Sequence, residues 1–311
     1  GEIKRRSRID WTWRCPGVYL LTNGAEYVIE TSASFAEEKG ISPHVAGVTI
    51  VAFGTSLPEL LVSIISSFQN YNDLALGSIV GSNISNIGLV LAVSTFIFYY
   101  ALNTNIVPDK DANSDSYVML LAVILLLFFS SDNNISSVEG FMFFVLYLLY
   151  IFWLYIRTKD ISITEEMDEK TSFIFLLGGL VGLLLGAHIT VDSAVSIADY
   201  VGVPEIVVGL TVVAVGTSLP ELAGTVSAAK MGHKEIAVGN VIGSNIANIL
   251  LVMGVLAMIN PVSVEQFVVE RTLPLLILLT MATFFMIRIP LTRLGGSILF
   301  TFFLLFIYQL I

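Results

Sequence analysis

Two glutamates lie inside long apolar stretches, each in a copy of one motif. Glu59 ends the run Gly-Thr-Ser-Leu-Pro-Glu at 54–59, and Glu221 ends the same run at 216–221. An unpaired charge within a bilayer is costly, so acids at such positions are usually paired or functional. One such acid is often protonated and hydrogen-bonded inside a helix bundle, but two at matching positions favour a shared ligand. Two carboxylates balance one divalent cation, and their oxygens are the ligands that Ca²⁺ prefers.

A second motif follows each glutamate at the same distance. Gly-Ser-Asn-Ile-Ser-Asn occupies 81–86, and Gly-Ser-Asn-Ile-Ala-Asn occupies 243–248. Both pairs of motifs are offset by 162 residues. The constant offset indicates that one unit was duplicated as a whole.

Each glutamate directly follows a proline, Pro58 or Pro220. Proline has no N–H and clashes with the carbonyl four residues earlier, so the preceding helix turn should open. Free carbonyls at membrane depth are tolerated where they line a polar cavity or an ion site. We therefore expect main-chain carbonyls near both prolines to bind a cation, namely those near Ala52, Thr55, Ala214 and Thr217.

The polar side chains of the motifs are spaced to share helix faces. Ser56 precedes Glu59 by three residues, and Ser82 precedes Asn86 by four. Side chains at these spacings are neighbours on a helix. The motifs contain neither His nor Cys, which argues against Zn²⁺ or copper. The predicted cation site comprises Glu59, Glu221, Thr55, Thr217, Ser56, Ser218, Ser82, Ser244, Asn86, Asn248, Ala52 and Ala214.

The composition is that of a membrane protein. Hydrophobic residues make up 55% of the chain and charged residues 13%, with a mean hydropathy of +0.84. Soluble domains carry about 25% charged residues. We predict an all-α polytopic protein with the lipid bilayer as its surroundings and no nucleic-acid partner. The single cysteine, Cys15, cannot form an intrachain disulfide.

Nine apolar stretches are long enough to span a bilayer. A tenth span, 17–38, is inferred because Gly24 matches Gly186 at the repeat offset. The nine lie at about 43–68, 74–100, 117–131, 137–157, 173–199, 204–229, 236–259, 267–288 and 294–311.

Five spans in each unit make the second unit enter the membrane upside down, as an inverted repeat. The predicted organisation is an atypical N-terminal segment at 1–16, a first repeat at 17–157, an acidic loop at 158–171 and a second repeat at 172–311. Lys and Arg concentrate in the loops of one side, which the positive-inside rule makes cytoplasmic. The acidic loop would then be cytoplasmic, in a protein of the cell membrane.

The paired motifs resemble the α-repeats of the sodium/calcium exchanger family, within the cation/Ca²⁺ exchanger superfamily. The resemblance covers residues 24–311 and includes the five-plus-five plan. It implies alternating access between Na⁺ and Ca²⁺ loads, commonly three Na⁺ against one Ca²⁺. By position, the family's central Ca²⁺ and Na⁺ ligands fall on Glu59 and Glu221, its Ca²⁺-binding carbonyls on Thr55 and Thr217, its sodium-site positions on Ala52, Ser56, Ser82, Ala214, Ser218 and Ser244, and its central polar residue on Asn86.

One position departs from part of the family. Some relatives carry aspartate where this chain has Asn248, so the site holds two acids rather than three. This leaves the stoichiometry open and weakens the case for K⁺ cotransport. The proton-coupled branch has Gly-Asn-Ala before its glutamate, whereas Gly-Thr-Ser-Leu-Pro here favours Na⁺.

Three alternatives to a Na⁺/Ca²⁺ antiporter stay open on the sequence alone. An H⁺/Ca²⁺ antiporter differs in the gradient that drives it, and a cation channel differs in conducting passively. A membrane enzyme is the third, but no His-Glu-x-x-His motif or nucleophile–base pair occurs in the chain. We therefore predict a transporter without catalytic residues or cofactor, which functions as a monomer and carries Ca²⁺ and Na⁺.

Overall fold

The computed structural model describes residues 16–68, 72–158, 169–201 and 214–310. In these residues the helices join into ten segments. The segments of the first half contain α1 (Pro16–Glu38), α2 (Pro43–Ala46), α3 (Ala52–Thr55), α4 (Leu57–Phe68), α5 (Asn72–Ser85), α6 (Ala92–Tyr100), α7 (Lys110–Phe129) and α8 (Ser137–Thr158), with π-helical turns at Gly47–Val51 and Asn86–Leu91.

The second half repeats this plan in the residues described. Its segments contain α9 (Glu169–Val201), α10 (Ala214–Thr217), α11 (Leu219–Met231), α12 (Lys234–Ile246), α13 (Gly254–Ile259), α14 (Leu273–Met286) and α15 (Arg293–Leu310), with π-helical turns at Ala247–Met253 and Val268–Thr272. The N-terminal segment 1–15, loop residues 159–168 and the start of the span predicted at 204–229 lie outside the described residues.

Six of the described helical segments are long and apolar enough to cross a membrane, and two more are apolar but shorter. The six are Pro43–Ile64, Ala75–Tyr100, Lys110–Phe129, Ser137–Arg157, Lys234–Ile259 and Val268–Met286, and the shorter two are Ile174–Thr190 and Arg293–Gln309. The prediction of an all-α polytopic membrane protein is confirmed.

The weak first span is also a helix. Although α1 carries several acids, it packs closely along α9, its counterpart in the second repeat. Gly24 of α1 lies against main-chain atoms of Gly179 and Gly182 in α9. The two helix backbones can approach this closely because glycine has no Cβ. Repeat matching therefore found a helix that hydropathy alone would miss.

One span begins earlier than the sequence predicted. Helix α7 begins at Lys110 rather than near 117, because Asp109 caps it by accepting a hydrogen bond from the main-chain N of Ala112 (2.7 Å). The polar first turns of α7 can pack inside the protein, because the side chain of Asp115 is buried and paired.

A buried ionic cluster ties three helices together around that aspartate. Asp115 Oδ2 lies 2.9 Å from Nε2 of His44 in α2, and its two oxygens each accept from Arg157 of α8 at 3.2 Å. The side chains of His44 and Asp115 are fully buried, and the Arg157 guanidinium lies over the Trp153 ring at 4.6 Å. A charge placed this way stabilises the fold only while its partners are present.

Replacing Asp115 with alanine should therefore destabilise the protein, because it removes the buried partner of His44 and leaves the half-buried Arg157, among the described residues, only its longer contact with Asp111 (3.6 Å). We expect a loss of about 3–5 kcal/mol, measured as a lower apparent Tm in detergent. Asp192→Ala is the matched control, because Asp192 is exposed and its contact with His188 is 3.5 Å long. Surface pairs contribute at most about 1 kcal/mol. Equal stability of the two variants would contradict a structural role for the cluster.

Two short pairings link loops of opposite halves. Strand β1 (Asn134–Ile135) pairs antiparallel with β2 (Val262–Ser263), and Ile106 forms a separate bridge with Leu291. The first joins the connection between segments four and five to that between eight and nine. The second joins the connection between nine and ten to that between three and four, which is the same pairing with the halves exchanged. This agrees with an inverted repeat, whose two-fold axis lies in the membrane plane.

Candidate functional site

The helix that leads to each glutamate is broken at the same place in both repeats. Ser56 separates α3 from α4 with φ −86° and ψ 4°, and Ser218 separates α10 from α11 with φ −89° and ψ 7°. This region of backbone space is sparsely populated and common at functional sites. The helices resume at Leu-Pro, where the missing proline N–H suits a first turn. The breaks predicted from the prolines are confirmed.

Both glutamates lie in the first turn of the resumed helix and are fully buried. Glu59 Oε1 accepts a hydrogen bond from Ser82 Oγ at 3.3 Å, and Glu221 Oε1 accepts one from Ser56 Oγ at 3.1 Å. The other oxygen of each, Oε2, has no hydrogen-bond partner among the described residues. Two buried carboxylates thus keep one oxygen each for a ligand.

Threonine–serine contacts cross between the repeats. Thr55 Oγ1 lies 3.4 Å from Ser244 Oγ, and Thr217 Oγ1 lies 3.4 Å from Ser82 Oγ. These are one contact seen twice, related by the repeat offset. Because Ser82 also donates to Glu59, the second repeat reaches the acid of the first through Thr217. Together with the bond from Ser56 to Glu221, these contacts give each acid a polar group that contains residues of both halves.

The predicted asparagines lie at matching π-helical turns. Asn86 begins the turn Asn86–Leu91, and Asn248 lies in the turn Ala247–Met253. Both are fully buried, and neither amide atom of either residue has a partner among the described residues. Leaving a buried polar group unsatisfied costs about 1–3 kcal/mol. Such turns are frequent at functional sites, and these amides are suited to a polar ligand.

The structure brings seven of the twelve predicted residues into contact: Glu59, Glu221, Thr55, Thr217, Ser56, Ser82 and Ser244. Ala52 adjoins them, since its carbonyl oxygen accepts from Ser56 N at 3.0 Å and lies 3.3 Å from Thr55 Oγ1. Ser218, Asn86 and Asn248 are buried on the same helices without a hydrogen bond to this group. Ala214 begins α10, and its side chain lies outside what the structure describes.

One polar residue of the site escaped the sequence analysis. Asn240 of α12 is fully buried, accepts from Thr55 Oγ1 (3.2 Å), and donates to Thr225 Oγ1 (2.9 Å) and to the main-chain oxygen of Glu221 (3.3 Å). Its spacing of four from Ser244 could have placed it on the site's face. A comparison of the repeats does not reveal Asn240, because the residue at the matching position of the first repeat is Ser78.

The site offers only oxygen ligands of two kinds. Glu59 and Glu221 provide the carboxylates, and hydroxyls, amides and main-chain carbonyls provide the neutral oxygens. Among the described residues, no three His, Cys, Asp or Glu side chains gather as a resident metal centre requires. A cation at this site would therefore be held by two negative charges and neutral dipoles, which suits a hard cation such as Ca²⁺ or Na⁺.

The chain matches a known family in both halves. A family model described as sodium/calcium exchanger protein matches residues 14–156 and 171–311. The two matches correspond to the two repeats, and they agree with the resemblance drawn from the motifs.

Individual relatives match along nearly the whole chain. Sodium/calcium exchanger MaX1 of Methanosarcina acetivorans is 30% identical over 94% of this chain and 96% of its own length. A membrane protein of Methanocaldococcus jannaschii is 36% identical over 85% of this chain and 87% of its own.

The fold also matches solved structures. The sodium–calcium exchanger NCX_Mj, soaked with 2.5 mM Na⁺ and 0.1 mM Ca²⁺, superposes with a TM-score of 0.83 at 31% identity, covering 94% of this chain and 95% of that one. Relatives whose names state an activity are transporters, as predicted, and not enzymes. The paired motifs, the polar contacts between the repeats and these matches lead to one assignment: the chain belongs to the sodium/calcium exchanger protein family.

Proposed function

We propose that this protein exchanges Na⁺ for Ca²⁺ across a membrane by alternating access, at a midplane site built around Glu59 and Glu221. One observation carries the proposal: two fully buried acids lie at equivalent repeat positions, each is hydrogen-bonded in a group that includes residues of both repeats, and each keeps an unpaired oxygen. Acids in a membrane protein that have no basic partner mark ion pathways. The names of the relatives, which state sodium/calcium exchange, support the same function.

Exchange follows from competition for the two charges. One Ca²⁺ neutralises both carboxylates, and so do Na⁺ ions, but the two loads together would leave excess positive charge. An empty site would expose two unpaired carboxylates to a low dielectric, which disfavours switching without cargo. Loaded states of either kind can switch, and the outcome is counter-transport.

The ligands are proposed to divide by cation. The acids and the main-chain carbonyls of Thr55 and Thr217 would hold Ca²⁺. The positions of the two alanines and the four serines would hold Na⁺, with Asn86 and Asn248 at the centre. Two carboxylates and two main-chain carbonyls can supply up to six oxygens, and Ca²⁺ takes six to eight.

Na⁺ is favoured over H⁺ and K⁺ as the coupling ion. An amide at Asn248 neither ionises nor takes up a proton at physiological pH, and the site lacks a further acid for K⁺ among the described residues. Many hydroxyl and carbonyl oxygens near two acids suit a partly dehydrated monovalent cation.

Helices α1 and α9 are proposed to slide as gates against the helices that carry the motifs. Around Leu21 and Leu183 they form a small apolar cluster of their own, apart from the main core. Their mutual contact is made at glycines, where the two backbones lie close together, so the pair can move as one unit against the motif helices. The shear motion this requires is a common form of conformational change.

We also propose a cellular location, an orientation and an oligomeric state. We place the protein in the cell membrane as a functional monomer, with the loop at 158–171 in the cytoplasm. The concentration of Lys and Arg in the loops of that side supports this orientation.

Purified protein in sealed vesicles tests the proposal. Uptake of ⁴⁵Ca²⁺ should be driven by an outward Na⁺ gradient, and not by H⁺ or K⁺ gradients imposed separately. Uptake driven by the pH gradient alone would identify a proton-coupled antiporter. Ca²⁺ entry without any counter-gradient and without saturation would identify a channel.

A further inference from the structure

The geometry points to Asn240 as a positioning residue for Na⁺: its amide draws the Thr55 hydroxyl away from the Ala52 carbonyl, which stays available to the cation. This inference rests on the proposed function and assigns a role to a residue outside the repeated motifs. Asn240 reaches Thr55 across the two halves of the protein.

The Thr55 hydroxyl lies within hydrogen-bond distance of three oxygens, but it can donate to only one of them at a time. Asn240 Oδ1 lies at 3.2 Å, the Ala52 carbonyl oxygen at 3.3 Å, and Ser244 Oγ at 3.4 Å. A hydroxyl carries one proton, so a well-formed bond to Asn240 leaves none for Ala52. Ser244 can then donate to the Thr55 oxygen, so the Thr55 hydroxyl both donates and accepts a hydrogen bond.

One lone pair of the Ala52 carbonyl oxygen can go either to a hydrogen bond or to a cation. It already accepts from the main-chain N of Ser56 at 3.0 Å, as a helix carbonyl does. A carbonyl oxygen has two lone pairs, and the second is taken either by the Thr55 hydroxyl or by a cation. Threonine readily bonds to the carbonyl three residues before it. Asn240 therefore suppresses a local hydrogen bond that competes with Na⁺.

The amide is itself held firmly. Its Nδ2 donates to Thr225 Oγ1 at 2.9 Å and to the main-chain oxygen of Glu221 at 3.3 Å. With one bond accepted and two donated, its orientation is fixed, with Oδ1 towards Thr55. The same residue thus links Thr55 to the helix that carries the second acid.

The first repeat lacks this arrangement. Ser78 and Ser63 stand where the second repeat has Asn240 and Thr225. Their hydroxyls are buried and have no hydrogen-bond partner among the described residues. A serine is too short to bridge as an asparagine does, so the two halves of the site are not equivalent.

Asn240→Ser, which copies the first repeat, is the main test. In vesicles, the Na⁺ concentration for half-maximal Ca²⁺ uptake should rise about fivefold, the equivalent of one hydrogen bond of ordinary strength. The half-saturating Ca²⁺ concentration should change by less than about twofold, because both carboxylates stay in place and only a 3.3 Å bond to the Glu221 main-chain oxygen is lost. A merely structural residue would lower the apparent Tm and the maximal rate without separating the two ions.

Two further variants locate the effect. Thr225→Val removes the other side-chain partner of Asn240 and keeps its bond to Thr55, so the apparent Tm should fall with little change in Na⁺ half-saturation. Adding Thr55→Val to Asn240→Ser removes the hydroxyl that would occupy the Ala52 carbonyl. The double variant should need less Na⁺ than Asn240→Ser alone, a non-additive result expected of residues in contact.

A gain-of-function variant covers the case in which Asn240→Ser does not fold. Ser78→Asn installs the amide in the first repeat and breaks no hydrogen bond of the Ser78 hydroxyl among the described residues. By the same reasoning it should lower the Na⁺ half-saturation. An unchanged value would contradict the inference.

The outcomes separate this inference from the proposed function. If the wild-type protein transports and Asn240→Ser keeps its Na⁺ half-saturation, or shifts both ions equally, only the role of Asn240 is overturned. If the wild-type protein shows no Na⁺-driven uptake, the proposed function fails and the inference fails with it.

Discussion

Glu221→Gln is expected to abolish Na⁺-driven Ca²⁺ uptake while leaving the protein folded. Glutamine keeps the size of the side chain and an oxygen that can accept from Ser56, whose Oγ lies 3.1 Å from Glu221 Oε1. What is lost is one of two negative charges in a fully buried site. The remaining carboxylate cannot neutralise Ca²⁺, so we expect uptake to fall at least about a hundredfold, the effect of some 3 kcal/mol.

Glu59→Gln should have the same effect, because the two acids are related by the repeat. Glu265→Gln is the matched control, since Glu265 is an exposed acid of the loop before α14. Binding can be followed apart from transport, because a ligand that binds only the folded state raises the apparent Tm. Ca²⁺ should stabilise the wild type and Glu265→Gln, but neither site variant. Undiminished uptake by Glu221→Gln would rule out the assignment of this acid.

The parts of the site that the sequence predicted are those fixed by local chemistry and repeated in both halves. A proline opens a helix wherever it stands in one, so the breaks at Ser56 and Ser218 follow from Pro58 and Pro220. An acid in an apolar run must find a polar environment, so the burial of both glutamates among polar side chains was foreseeable. The repeat offset even located α1, whose own hydropathy is poor.

The parts that were missed depend on contacts between distant segments. Asn240 matters because it meets Thr55 across the two halves, and comparing the repeats finds only what both halves share. The early start of α7 needs the Asp109 cap and also buried partners for Asp115, and neither periodicity nor hydropathy encodes the contacts of Asp115 with His44 and Arg157. Tertiary packing decides such partners, so a single sequence can place a polar residue on a helix face but does not show which residue it meets.

The second large effect is expected from substituting the glycines at the contact between α1 and α9. Gly186 and Gly24 occupy matching repeat positions. A Cβ on Gly186 would lie against the main-chain N of Leu21, 2.6 Å from its Cα and 2.8 Å from the Gly17 carbonyl oxygen. These are backbone atoms, which cannot move aside as a flexible side chain can, so even alanine must push the helices apart.

Gly186→Ala is therefore expected to reduce the exchange rate at least about tenfold, if α1 and α9 must stay in close register to slide. Gly178→Ala is the matched control on the same helix, because a Cβ there meets nothing within 4 Å among the described residues. The control should transport at the wild-type rate. Gly24→Ala, on the other helix, should repeat the loss, since its Cβ would lie 2.7 Å from the Gly179 carbonyl oxygen.

The distinction from a damaged site lies in Ca²⁺ binding. Gly186 does not contact Glu59 or Glu221 in the hydrogen-bond network, so Ca²⁺ should still raise the apparent Tm of Gly186→Ala although transport is slow. Slow exchange with retained binding places the defect in the movement between states. Equal rates for Gly186→Ala and Gly178→Ala would mean that the helix contact does not limit transport, and the gates would have to be sought among other helices. Loss of Ca²⁺ stabilisation together with rate would instead tie this contact to the shape of the cation site, because α9 also packs against the helices that carry Thr217 and Glu221.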